Sequence, residues 1–476
     1  GGEVFATAND RYTYNPDFTN FQPRFGFSWL PFKDTVVRGG YGIFYGVSRV
    51  GAAGQGGSGN QGWVEDTTWL TSLNNDGATP WGRLSDPWPM TGPNLPPGNS
   101  LGLLNDVGTT GIGPNKSVNA TPNTQTWSFG IQHELRGNIV VDVTYLGTKG
   151  THQYFGGDDN NNILGPQIEN YSPDQIAALE TYVPNPFYGK ITNPNSQLSG
   201  STIPAYQLQL PHPQFTTFGG DTKPIANSIY HALQAKMEKR FSHGLELLVT
   251  YNFSKSIDDS SSSDDTFLGG STSLQDPNKP YLERSVSLFD IPQQLQITHV
   301  YQLPFGRGKQ FGGNWNPIVD GFLGGWQVNG TWSFLSGYPL LPTLANGVSL
   351  PTYGPQRPNL TGKPTRNKGK DWMTNYFSNP QVFTVPAPYA LGTAPRTIPW
   401  VRTQGTDSSN LSVSKTLALS KIKEGLQLQY RLEAFNALNH PQFGSPNMLL
   451  NSGAFGVVTS QANAARQLQM ALRLSF

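Results

Sequence analysis

Apolar and polar residues alternate without a break along many short stretches of this chain, and the polar partners include glutamine, arginine and glutamate. Leu426, Leu428, Tyr430 and Leu432 oppose Gln427, Gln429, Arg431 and Glu433. The last ten residues, QLQMALRLSF, set Leu468, Met470, Leu472, Leu474 and Phe476 against Gln467, Gln469, Ala471, Arg473 and Ser475. Successive side chains of a β-strand point to opposite faces, so each stretch is a two-faced strand. A soluble sandwich buries the apolar face. A membrane barrel turns it to lipid and leaves the polar face in a wet lumen.

The spacing between strands separates these readings. Pairs of alternating segments are predicted at about 24–45 with PFKD as the turn, at 127–145 across R-G-N, at 230–254 across S-H-G, at 294–335 across a connection opened by LPFGRGK, and at 408–436. Between the pairs lie residues 46–124, 148–227, 255–292, 337–406 and 437–465, rich in Gly, Pro, Asn and Ser and without period. Compact soluble domains rarely carry several such connections. Outer-membrane barrels have short periplasmic turns and long extracellular loops by rule. Ten residues at about 3.3 Å each, tilted about 45°, cover roughly 23 Å, close to the height of a barrel's apolar band.

Parity then fixes the count. The strand at 426–436 runs outward, so the final strand 466–476 runs inward and FGVVTS at 455–460 belongs to the last extracellular loop. About eleven strands result. Bacterial single-chain barrels are even-numbered, and an open edge in lipid leaves backbone groups unpaired, so the expectation is that residues 1–476 form the C-terminal part of one larger barrel domain.

Composition agrees. Lys+Arg 32 against Asp+Glu 31 gives a net charge of +1, so no basic surface points to nucleic acid. The absence of cysteine excludes disulfides and thiolate metal sites, and no run of about 18 apolar residues marks a transmembrane helix. The start, GGEVFATAND, lacks the basic and apolar regions of a signal peptide.

Several segments resemble the C-terminal barrel half of TonB-dependent outer-membrane receptors of the Oar-like branch. They are PRFGFSW (23–29), RGGYGIFY (38–45), ALQAKMEKRFSHGLELLVTYNFSKSIDD (232–259), YQLPFGRGK (301–309), GGWQVNGTWSFLSGYP (324–339), EAFNALNHPQFG (433–444) and RQLQMALRLSF (466–476). The resemblance implies a 22-stranded barrel with a plug, energised by the TonB complex through a TonB box. The plug, the box and the first strands have no counterpart in this sequence. It also implies that Leu468, Met470, Leu472, Leu474 and Phe476 are the signal read by the barrel-assembly machinery.

Competing chemistry is thin. GQGGSG at 54–59 fits G-x-G-x-x-G but sits in a Gly-rich loop beside Trp63 and Trp69, without the strand and helix that phosphate binding needs. SVSK at 412–415 falls in a predicted strand, and the seven histidines are scattered, with His440 in the loop-exit segment NHP. The acidic run with Asp258, Asp259, Asp264 and Asp265 reads as a mobile solvated loop rather than a cation site. Arg431, Glu433 and Arg473 must face a lumen, since a basic group at the bilayer midplane costs about 2–4 kcal/mol; Gln427, Gln429, Gln467 and Gln469 share that face. Trp29, Tyr41, Tyr45, Trp127, Tyr145, Tyr251, Trp326 and Trp332 read as lipid-side and girdle aromatics. Trp63, Trp69, Trp81, Trp88 and Trp372 read as loop packing.

The sequence therefore predicts an all-β transmembrane barrel segment in the bacterial outer membrane, without catalytic, cofactor-binding or metal residues. Its expected function is capture and TonB-driven uptake of a large or scarce ligand through the extracellular loops, with outer-membrane lipid as its surroundings. The alternatives are a passive or structural outer-membrane protein for adhesion, surface assembly or export, and a soluble β-module. That last reading requires the apolar faces to be buried.

Overall fold

A computed structural model describes the chain apart from residues 1–6, 10, 12–16, 47–71, 73–76, 87, 89–91, 94, 105–106, 109, 113–119, 154–159, 192–195, 220–223, 262–273 and 420–421. GQGGSG, Trp63, Trp69, Asp264 and Asp265 lie outside the described residues.

Among the described residues, eleven long strands follow one another as an antiparallel meander. They are β1 (Arg24–Phe32), β2 (Thr35–Tyr45), β3 (Asn123–Leu135), β4 (Ile139–Gln153), β5 (Ala226–Ser242), β6 (Leu245–Asp258), β7 (Gln293–Gln302), β8 (Trp326–Leu335), β9 (Thr406–Ala418), β10 (Gln427–Phe435) and β11 (Gln467–Ser475). Each pairs with its neighbours in sequence, and Ser285–Val286 adds a short twelfth strand beside β6. β1 and β11 are the two edges, and they do not pair with each other.

Turn chemistry explains the tight hairpins. Gly137 and Asn138 close the β3–β4 turn at φ 86° and 61°, and His243 and Gly244 close β5–β6 at φ 51° and 80°. Paired positive-φ residues match the right-handed twist of a hairpin. The β7–β8 connection, residues 303–325, is longer and contains helix α2 (Pro317–Leu323). Residues 455–460 form no strand, as parity required.

The five long connections leave from the opposite edge, and their described residues pack on one another. Short ladders join one to another: Thr110–Ile112 with Thr217–Gly219, and Thr343–Leu344 with Leu449–Leu450. Two apolar clusters fill this body. One packs Leu340, Tyr376, Phe377, Phe383, Ile398, Val401, Met448 and Val458. The other joins Leu164, Ile168, Ile176, Leu179 and Leu210 to Leu350 and Tyr353. Helix α1 (Pro173–Glu180) contributes Ile176 and Leu179, and Ser172 opens it with a capping box to Gln175. These buried apolar residues come from the aperiodic connections, so the folded protein has its side-chain core in the loops while its sheet is left uncovered.

Candidate functional site

Directly paired residues of an antiparallel sheet project to the same face, and the ladder lets one face be followed across all eleven strands. From Phe27 the apolar face passes through Tyr41, Trp127, Phe129, Tyr145, Leu233, Met237, Val249, Tyr251, Leu295 and Ile297. It continues through Trp332, Val413, Leu428, Tyr430 and Leu432 to Leu468, Met470, Leu472 and Leu474. This face, which also carries Trp29, is not covered: Trp29 is 61 % exposed, Phe129 49 %, Leu233 46 % and Leu472 70 %. Gly147 leaves room for the indole of Trp127, whose atoms lie 2.2 Å from where a Cβ would stand.

The opposite face is mainly polar over the same span, with Val36, Phe44, Val140, Leu146, Leu248 and Val300 as apolar members. Gln427, Gln429, Arg431 and Glu433 sit opposite Ser475, Arg473, Ala471 and Gln469, and Gln467 faces Phe435 at the loop end. Arg431 and Glu433 pair with each other at 3.4 Å. Farther along, Arg38 pairs with Asp142 across β3, and Lys236 lies 2.9 Å from Glu238. Gln302, Lys309, Gln327, Asn329, Thr416 and Arg431 help line a cleft of about 320 Å³ near the short-turn edge.

At the long-loop edge, three arginines bind carboxylates between Asp258 and Asp290. Arg396 is fully buried and pairs with Asp258, while also donating to Ser261 Oγ at 2.7 Å and Glu283 O at 2.9 Å. Arg402 pairs with Asp290 at 2.5 Å and Arg357 with Glu283 at 2.5 Å. The expectation of a mobile, solvated acidic run is thereby corrected for its described part. Asp258 and Asp259 are buried, Asp259 accepting from Asn227 N at 2.9 Å and pairing with Arg284 at 3.2 Å. Asp258 is buried because the guanidinium of Arg396, 138 residues away, supplies the opposite charge.

A second polar knot joins three loops. Lys279 pairs with Glu169 and lies 3.4 Å from Asp276, and Asn278 donates to the Tyr353 hydroxyl at 2.8 Å. Burial raises the Asp276 carboxyl and the Tyr353 phenol above their ordinary values, and the Glu169 carboxylate raises the Lys279 ammonium. Trp372 packs edge-on against Phe443 and Tyr376, with Arg366 over its ring at 5.7 Å. His440 hydrogen-bonds Asp407 at 2.8 Å where the last long loop leaves β10. SVSK lies within β9.

The family described as "Outer membrane beta barrel domain" matches residues 1–469. The chain belongs to that family. It is an outer-membrane protein, and the exposed apolar face of its sheet contradicts the soluble alternative. By the rule for bacterial members, the short-turn edge is periplasmic and the long-loop edge extracellular.

Among solved structures, the chain is similar to the outer-membrane transporter YddB from Escherichia coli, at 9% identity and a TM-score of 0.43, covering 95% of this chain and 40% of that one. It is also similar to the FrpB iron transporter from Neisseria meningitidis, at 9% identity and a TM-score of 0.36, covering 95% of this chain and 39% of that one. The pyoverdine receptor FpvA from Pseudomonas aeruginosa gives 10% identity, a TM-score of 0.36, and coverage of 96% of this chain and 36% of that one. The chain thus spans two-fifths or less of these three proteins. No curated protein matches it in sequence.

Sequence reasoning missed Arg357, Arg396 and Arg402, whose partners lie 74, 138 and 112 residues away. The only local signal is three arginines in a chain with 13% charged residues, set in the aperiodic stretches QRP, PRT and VRT.

Proposed function

We propose that this chain forms barrel wall and extracellular loops of a TonB-dependent receptor that takes up a large or scarce ligand, with no catalytic step of its own. The observation that carries the reading is the loop body. Connections distant in sequence share two apolar clusters and buried arginine–carboxylate pairs. Ordering loops beforehand lowers the entropy cost of binding, which suits capture of a dilute ligand. A passive pore gains nothing from such a platform.

In this reading residues 1–476 belong to one larger barrel domain whose plug meets the TonB complex. Gln427, Gln429, Arg431, Glu433, Gln467, Gln469 and Arg473 face its lumen. Leu468, Met470, Leu472, Leu474 and Phe476 present the terminal strand to the barrel-assembly machinery. The motif resemblance over 23–29, 38–45, 232–259, 301–309, 324–339, 433–444 and 466–476 supports the assignment.

The test compares depletion of solutes from the medium by cells with and without the intact protein, before and after a protonophore. Energy-dependent depletion of one solute supports uptake. Adhesion or surface assembly without such depletion favours the structural alternative.

A further inference from the structure

The β7–β8 connection is the longest of the short-edge connections, and it is built as a unit. Gly325 N donates to Phe305 O at 3.1 Å and Leu303 N to Trp326 O at 2.8 Å. Arg307 N donates to Asp320 Oδ1 at 2.7 Å, and its Nε to Trp315 O at 2.8 Å. Asn316 caps α2, accepting from Ile318 N at 3.0 Å and Val319 N at 2.9 Å. Gly306, at φ +121°, lies against Gly324 so closely that a Cβ would stand 2.9 Å from its Cα.

The side of the sheet on which this unit rests is fixed by two residues of the apolar face. Trp326 and Lys415 are directly paired, and Lys415 is paired in turn with Tyr430. Lys415 Nζ donates to Asp320 O at 2.9 Å and to Gly324 O at 2.5 Å, satisfying carbonyls at the helix C-terminus. Trp326 Nε1 donates to Phe322 O at 2.8 Å. A lysine on the apolar face thus has its charge taken up by α2.

The helix turns its own apolar residues away from this seat. Ile318 is 72 % exposed, Phe322 74 % and Leu323 59 %, and no residue of α2 is buried. The exposed rings of Phe305 and Phe311, 5.7 Å apart, stand in the same unit, which also carries the exposed cation Arg307, while Lys309 Nζ turns to the polar face and donates to Gln302 Oε1 at 3.1 Å.

We propose that residues 303–325 are an interfacial anchor whose partner is the periplasmic phospholipid leaflet. Ile318, Phe322 and Leu323 enter the acyl region and Arg307 meets anionic headgroups. This rests on the apolar face being the lipid face, with which the patch is continuous. Burial of about 5–10 Å into the headgroup–acyl boundary is the depth such helices reach.

The chain's lack of cysteine makes the test direct. Phe322→Cys and, separately, Ile318→Cys are labelled with an environment-sensitive fluorophore in the intact protein, in vesicles of phosphatidylethanolamine and phosphatidylglycerol. The expected result is a blue-shifted emission, quenched more by a nitroxide high on the acyl chain than by one near its end, and little affected by iodide. Val249→Cys on the apolar face and Thr250→Cys on the polar face are the controls. If Val249 is lipid-quenched while both helix labels are quenched by iodide alone, the anchor is refuted and the barrel reading stands. Helix labels shielded from iodide yet untouched by lipid nitroxides refute the anchor in favour of a protein contact. If Val249 itself escapes lipid quenching, the barrel reading fails and the anchor with it.

Discussion

Replacing Arg396 by leucine removes the cation on which the extracellular body is closed. Its side chain is 2 % exposed and, besides the Asp258 pair, satisfies Ser261 Oγ, Glu283 O and Asp258 O at 2.7, 2.9 and 3.1 Å. Asp258 keeps the Ser261 hydroxyl at 2.9 Å but loses its countercharge in a buried site. Removing one partner of a buried pair costs about 3–5 kcal/mol. At 1.4 kcal/mol per tenfold, the open population of the loops rises roughly 10²- to 10⁴-fold.

Native-state hydrogen exchange reads that population directly. Amides of 274–290 and 394–405 are expected to exchange faster by that factor, while amides of β5–β8 keep their protection. The double change Arg396→Met with Asp258→Leu should recover most of the loss, because neither charge is then buried alone. Unchanged exchange in Arg396→Leu, or equal loss of protection in strands and loops, would refute the view that these pairs close the loop body independently of the wall.

Three further outcomes follow from the same geometry. Leu472→Arg places a cation on the exposed apolar face and is expected to cost about 2–4 kcal/mol of membrane stability, whereas Gln469→Arg, opposite Glu433, is expected to be tolerated; the folded fraction recovered from membranes compares them. Gly147→Leu drives a side chain into the Trp127 ring and should cost about 1–3 kcal/mol, read as a lower Tm than for a substitution at solvent-facing Gly453, where no atom lies within 4 Å.

The pH dependence concerns Asp276. Its carboxyl is raised above 3.8 by burial, so the folded loops bind the proton more tightly than the unfolded chain does. The favourable contribution is present below the unfolded pKa and is lost as pH rises through the folded one. Asp276→Asn should flatten that decline and raise loop stability at neutral pH; an unaltered pH slope in hydrogen exchange of residues 274–284 would refute it.

The wall was legible because a strand repeats every two residues, so each of eleven strands announced itself in isolation. R-G-N and S-H-G marked their turns because positive φ selects such residues. The reading stopped short at the ends: the hairpin expected at 230–254 runs from Ala226 to Asp258, carried on into the loop body by pairs such as Ile257 with Ile229. The loop body left few periodic traces. Leu164, Ile203, Leu340 and Ile398 are almost fully buried, yet they stand in stretches of Gly, Pro and Asn. One local signal was overlooked. S-P-D-Q at 172–175 is a capping box with proline at the first helical position, and α1 starts there. The burial of Asp258 was not legible, because its reason stands at Arg396.

The claim on which the rest depends is that one face of this sheet meets lipid and the other water. A nitroxide scan of residues 427–435 in the reconstituted protein, reading collision with oxygen against collision with a water-soluble nickel chelate, tests it most directly. Oxygen access is expected at 428, 430, 432 and 434, and nickel access at 427, 429, 431 and 433. Equal nickel access at both sets, or a period other than two, would contradict it.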